Sequence, residues 1–206
     1  DKADIQLAIG GLAAVPALFL AGMLVDDETN VTLYDWDRNA KLWRLVDGSD
    51  DRKRFELLDG AEVDAGTKEV VLAVSVSYPI DTQALRQTFG ASMPIARLTS
   101  EEVLADRYWS EEKQQAYVVS LRDAIQKLMS VGVQRIHMVL AAPASLSIRM
   151  GMAYDRRLMP DLIVYQYEKT ATPPYPWGIQ MPTHGHTPAK VVWSDSEQFA
   201  FAPRCG

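Results

Sequence analysis

Two stretches far apart in the chain read alike. "NVTLYDWD", residues 30–37, and "DLIVYQYE", residues 161–168, each start polar, run through apolar residues and end aromatic–polar–aromatic–acid. With Ile5 set on Ile136 and no gap allowed, Gly10–Gly11 falls on Ala141–Ala142, Ala13 on Ala144, Tyr34 on Tyr165, Trp36 on Tyr167 and Asp37 on Glu168. Each copy reads as a strand, tiny residues at a turn, a helix, then a second strand. A helix between two parallel strands is a βαβ crossover, and its hand is fixed by the strand twist. Two copies in one chain leave few folds open. The expectation is α/β: two fused Rossmann-like halves with mainly parallel sheets flanked by helices, related by a pseudo-twofold axis. Residues 1–206 then form a single domain with approximate halves 1–98 and 99–206.

The remaining segments fit between these units. Residues 69–78, "EVVLAVSVSY", are Val-rich and read as the strongest strand, stopping at Pro79. "DTQALRQTF" reads as a short helix capped by Asp81 or Thr82, and "PIARL" as a short strand. "KLWRLV" and "KRFELL" around "DGSDD" read as a surface hairpin. A long helix is expected over about 100–131, with Thr99 and Glu102 as a capping box and Gly132 as its stop. "RIHMVLAAP" reads as a buried strand and "ASLSIRMGMAYDRR" as a helix. The tail after 170 reads as mostly loop, with two edge strands at 191–193 and 199–202.

Residues 5–25 are almost wholly apolar, but Gly10, Gly11 and Pro16 break them, so they read as strand, turn and buried helix and not as a membrane span. A net charge of −6 argues against a broad face for duplex nucleic acid, which needs excess Lys and Arg. It leaves room for a small anion held by a few local groups. Cys205 is the single cysteine, so no internal disulfide forms, and reducing cytoplasm is the expected setting. A chain that opens on Asp1 and goes almost directly into a strand reads as a domain excised from a longer protein.

In open α/β sheets, ligands bind beyond the carboxyl ends of the strands. Here those ends are "GGLAA" and "DWDR" in one copy, "AAPAS" and "YEKT" in the other. Small residues let a ligand approach the backbone, N–H groups at a helix start accept phosphate, aromatics stack on bases, and Arg38 or Lys169 pairs with phosphate. Two equivalent ends facing one cleft suit a ligand of repeated similar units, such as a cyclic oligonucleotide.

"VTLYDWD", "VLAVSVSY", "RIHMVLAAPASLSIRMGM" and "MPDLIVYQYE" resemble the SAVED domain over essentially the whole chain. The resemblance implies two fused CARF-like units acting as a sensor in bacterial anti-phage (CBASS) defence. It implies a cyclic di- or trinucleotide ligand, head-to-tail self-assembly on binding, and a fused effector, first of all an HNH endonuclease, with no effector motif in this chain. A cyclic dinucleotide such as cyclic GMP–AMP is favoured, with a cyclic trinucleotide close behind. No cofactor and no catalytic residue is expected in the sensor itself. The positions matching the ligand-facing ends are Gly10, Gly11, Leu12, Ala13, Trp36 and Arg38 in the first copy. Their counterparts are Ala142, Pro143, Ser145, Arg149, Tyr167 and Lys169, with Tyr78 at the end of the central strand.

Plainer readings stand beside these. Tyr34 and Tyr165, in mid-strand, read as core. "PPYPWG" reads as a lid or a rigid turn. His184 and His186 lack a third ligand for a metal, and His137 reads as packing or a local hydrogen bond. Ser145 and Ser147 have no His–Asp partner in sequence. Asp35, Asp37, Asp50 and Asp51 could serve a metal-dependent phosphodiesterase. The alternative function is therefore a Rossmann-like nucleotide hydrolase or ring nuclease.

Overall fold

The computed structural model describes residues 6–25, 30–183 and 188–194. His184, His186, Cys205 and the apolar run 199–202 lie outside them. The first copy forms β1 (Leu7–Gly10), α1 (Val15–Val25) and β2 (Val31–Asp37), with β1 and β2 parallel. A turn at 38–41 then reverses the chain into β3 (Leu42–Leu45), antiparallel to β2. The second copy forms β6 (Arg135–Ala141), α4 (Ala144–Met152) and β7 (Asp161–Gln166), again parallel, followed by β8 (Trp177–Gln180), antiparallel to β7. The duplication thus extends one strand beyond the unit read from the sequence.

The strands form a small sheet, β1-β2-β3, and a six-stranded sheet in the order β5-β4-β6-β7-β8-β9. β4 (Glu69–Ser75), β5 (Ile95–Thr99) and β9 (Lys190–Trp193) complete the larger one. β4 is parallel to both β5 and β6, and is buried along nearly its whole length, which explains its unbroken Val-rich run. One face of this sheet packs on Phe19 of α1, on Tyr117, Leu121 and Ile125 of α3 (Glu111–Ser130), and on Leu146 and Met150 of α4. The other face packs on Leu85 and Phe89 of α2 (Thr82–Phe89), and on Tyr175.

The two copies meet through α1 and α4. Gly22 faces the carbonyl of Ile148, and Gly151 faces the carbonyl of Phe19, so closely that a Cβ at either would overlap the oxygen. The contact is reciprocal, as a twofold axis requires, and 129 positions separate both Phe19 from Ile148 and Gly22 from Gly151. The helices start 129 apart as well, at Val15 and Ala144.

That spacing corrects the gapless register. Gly10 pairs with Tyr34, and Val139 pairs with Tyr165, so Gly10 corresponds to Val139 and not to Ala141. The spacing of 131 holds only from β2 and β7 onward. The second copy carries two more residues between its helix and its second strand. A gapless comparison misses them because it is anchored on the paired aromatics of β2 and β7, where the spacing is 131.

Two other expectations fail. The surface hairpin does not form: β3 pairs with β2, while the later segment bridges β5 through Phe55–Ser100 and Asp59–Arg97. "DGSDD" is a crossing from the small sheet to the large one. The long helix starts at Glu111, where Ser110 accepts a hydrogen bond from the Lys113 N–H at 3.2 Å and Glu111 and Glu112 fill the first turn. Acidic side chains there complement the helix dipole. Thr99 instead ends β5, and Ser100 bonds the Tyr117 hydroxyl at 2.7 Å. The 191–193 strand is present as part of β9, whereas β8 sits in a stretch read as loop.

Candidate functional site

The polar residue between each pair of aromatics reaches across to the other copy. Side chains alternate along a strand, so in β2 Tyr34 and Trp36 face one way and Asp35 the other. Asp35 is 3% exposed, and its carboxylate accepts a hydrogen bond from the Ser145 N–H at 3.1 Å, in the first turn of α4. That helix has no side-chain cap of its own, because Pro143 stands at the cap position. In β7, Gln166 does the same for the first copy: its Oε1 accepts from the Val15 N–H at 3.0 Å, at the start of α1. Each copy caps the helix of the other. Burial raises the Asp35 pKa above the usual carboxylate range, against the lowering effect of its hydrogen bonds from Ser145. Both helix starts are therefore already satisfied by side chains, which displaces the expectation that phosphate docks there directly.

Beyond the carboxyl ends of β4, β6 and β7 lies a cleft of about 950 Å³. Tyr78, Pro79 and Ile80 after β4 form one wall together with Gln83, Ala84 and Gln87 of α2. Tyr165, Gln166, Tyr167 and Lys169 form another, the end of β6 makes the floor, and Tyr175 closes the back. Arg38, from the first copy, reaches the same cleft. Arg38 and Lys169 are equivalent under the β2–β7 register, and neither makes a salt bridge among the described residues. Tyr78 and Tyr167 are each 53% exposed. Tyr165 and Tyr175 are buried, and burial pushes the Tyr175 phenol up to about 12 and the Tyr165 phenol higher still. Tyr165 packs edge-on against Phe89 at 4.8 Å and bonds His137 at 3.0 Å, whose other nitrogen meets Glu69 at 3.1 Å.

A second, shallower cleft of about 350 Å³ adjoins the first, sharing Val15, Arg38 and Ala142 with it. Leu12, Ala13, Leu18, Asp35, Trp36, Tyr108, Pro143 and Ala144 complete its lining. The expected site residues thus fall into three groups. Arg38, Tyr78, Ala142, Tyr167 and Lys169 line the larger cleft, and Leu12, Ala13, Trp36 and Pro143 line the smaller one.

Gly10, Gly11, Ser145 and Arg149 line neither cleft. Gly10 makes room for Trp43, whose ring would sit 3.2 Å from an added Cβ, and Trp43 in turn packs edge-on against Trp36 at 5.6 Å. Ser145 is fully buried, with its hydroxyl bonded to Gln114 at 2.7 Å. Arg149 is held by Gln114 at 3.2 Å and Glu111 at 3.0 Å, fastening α4 to α3. Gln83 and Gln87 are cleft residues that the sequence reading missed, while Tyr175, read within a lid or a rigid turn, is buried at the back of the cleft. The signal available was the i, i+4 spacing of the glutamines on the first helix after the strongest strand.

The clustered early carboxylates are dispersed. Asp35 caps α4, Asp37 accepts from the Asn39 and Ala40 N–H groups, Asp50 holds Arg54 bidentately, and Asp51 pairs with the buried Lys113 at 2.8 Å. Among the described residues no group of three or more His, Cys, Asp or Glu is placed to hold a metal ion. Among them, too, no helix is long and apolar enough to cross a membrane.

The family described as the SMODS-associated and fused to various effectors sensor domain, SAVED, matches residues 1–181. The chain belongs to the SAVED family. Solved structures agree in fold with this SAVED domain. The Cap4 SAVED/CARF-domain receptor of Acinetobacter baumannii with the cyclic trinucleotide 3'3'3'-cAAA is 18% identical, with a TM-score of 0.59, covering 80% of this chain and 36% of the receptor. The same receptor with 2'3'3'-cAAA is 18% identical with a TM-score of 0.57. The Moraxella osloensis Cap4 receptor is 15% identical with a TM-score of 0.56, covering 81% of this chain and 35% of that one. This SAVED domain therefore spans about a third of the length of those receptors. A comparison with curated proteins finds no match.

Proposed function

We propose that this SAVED domain is the sensor of a CBASS-type receptor and takes a cyclic oligonucleotide in the larger cleft. The observation that carries the reading is the convergence of Arg38 and Lys169, one from each copy, on a single cavity between two half-exposed tyrosines. The cations pair with phosphates of the ring, and Tyr78 and Tyr167 stack on its bases. A cyclic trinucleotide is now favoured over a dinucleotide. The adjoining smaller cleft gives space for a third unit, and the A. baumannii receptor is named with cyclic trinucleotides. The ligand binds one assembly state better than the other and shifts the population toward it. Head-to-tail assembly then switches on a fused effector, with an HNH endonuclease as the first candidate. The sensor itself performs no chemistry.

The test is calorimetric titration with a panel of cyclic di- and trinucleotides, with light scattering on each mixture. One tight binder, with growth in mass, supports both sensing and assembly; no binder in the panel removes the reading. Recovery of linear product after incubation with a divalent metal would favour the ring nuclease.

A further inference from the structure

The two sides of the larger cleft differ in the groups they offer. Arg38 and Lys169 come from the β2 and β7 ends. The α2 wall carries Gln83 and Gln87, exposed and one turn apart on one face of the helix. Among the described residues, neither carboxamide has a hydrogen-bond partner. The only cation on α2, Arg86, is turned away and held by Glu62 at 2.6 Å and by the carbonyl of Ala91 at 3.0 Å. Asp81 is engaged in capping the helix through the Ala84 N–H at 2.8 Å.

A carboxamide offers one donor and one acceptor side by side. That matches adenine, which presents an acceptor at N7 beside a donor at N6. Guanine presents two acceptors, N7 and O6, and calls for Arg or Lys. The α2 wall has no free cation to give. We infer that the Gln83–Gln87 pair reads the base facing α2 and selects adenine over guanine, one of the two carboxamides donating from Nε2 to N7 and accepting at Oε1 from the N6 amino group. This rests on the cyclic-oligonucleotide reading of the cleft and adds the base and the residues that choose it.

The test titrates the wild-type chain, Gln83→Ala, Gln87→Ala and the double variant with cyclic tri-adenylate, cyclic tri-guanylate and a 7-deaza-adenine form of the first ring. A bidentate base contact typically discriminates by roughly 5–150-fold. The wild type is expected to prefer the adenine ring by about that factor, and to lose part of it for the 7-deaza ring. In the double variant the adenine–guanine preference should fall to about 3-fold or less and the 7-deaza penalty should vanish, because the group that used N7 is gone. Both glutamines are exposed, so an unchanged melting temperature is expected to show that the fold is intact. An adenine preference that survives in the double variant, or a wild type that prefers guanine, overturns the inference while leaving the sensor reading in place. A wild type that binds none of these rings, nor any cyclic dinucleotide, overturns both.

Discussion

Asp35 and Gln166 perform one task with different charges, and their difference is measurable. Asp35→Ala leaves a buried helix N–H without a partner and should cost about 1–3 kcal/mol by urea unfolding. Asp35→Asn keeps an acceptor for Ser145 and removes the buried charge. Burial raises the Asp35 pKa, so the folded state retains a proton that the unfolded state has already released. The contribution of Asp35 to stability therefore falls as pH rises from about 3.8 through the raised value, and is constant above it. The Asn variant has no such loss, so its stability relative to wild type should be greater at pH 8 than at pH 4. An equal difference at both values would mean that Asp35 titrates as it does in the unfolded chain. Trp36, which lines the smaller cleft and packs on Trp43, tests a different role. Loss of a stacking ring weakens binding by about 1–3 kcal/mol, so Trp36→Ala should raise the Kd by roughly 5–150-fold with the domain still folded. Unchanged affinity would assign Trp36 to packing alone.

The seam between α1 and α4 has no slack. At Gly22 or Gly151 an added methyl meets a carbonyl of the facing helix, and only backbone displacement can relieve it. Either Gly→Ala change should destabilise by roughly 1–3 kcal/mol, despite alanine's better helix propensity. A thermal melt showing stabilisation would place the helices farther apart than this. The sequence made most elements legible, because β4, β6 and β7 are buried Val- and Ile-rich runs and α2 and α3 have periodic apolar faces. It was least legible where local signals competed or were weak. Thr99–Glu102 looks like a helix start, and tertiary partners decide against it: Thr99 is paired with Ser75 in the β4–β5 ladder, and Ser110 caps the helix instead. β8 hides in a Pro- and Gly-rich tail because its glycine, Gly178, sits where the carbonyl of Val164 approaches. Of the candidate cleft's lining, Arg38, Tyr167 and Lys169 were legible from the repeat, and Tyr78 from the end of the strongest strand. Ser145 and Arg149 line neither cleft because both are held by the buried Gln114 of α3, far away in sequence.

The clefts, the caps and the glycine seam all lie where the two copies meet, so ligand binding should register in global stability. A ligand present at a hundred times its Kd, and bound only to the folded state, adds about 2.7 kcal/mol. In a chain of this size that corresponds to a rise of roughly 5–10 °C in Tm. Scanning fluorimetry across the cyclic nucleotide panel should show that rise for one ring and not for its linear form. A shift of the same size with the linear form would mean that ring closure is not sensed. The crossed capping carries one more consequence. Had the two copies been separate, identical subunits, symmetry would have obliged both caps to be the same residue. Joined in one polypeptide, they are released from that obligation, and this chain has used the freedom to write a carboxylate at one cap and a neutral amide at the other. A ring of identical nucleotides bound between the copies would therefore meet a host that is twofold in backbone but polar in charge, and its units would not need to be held alike.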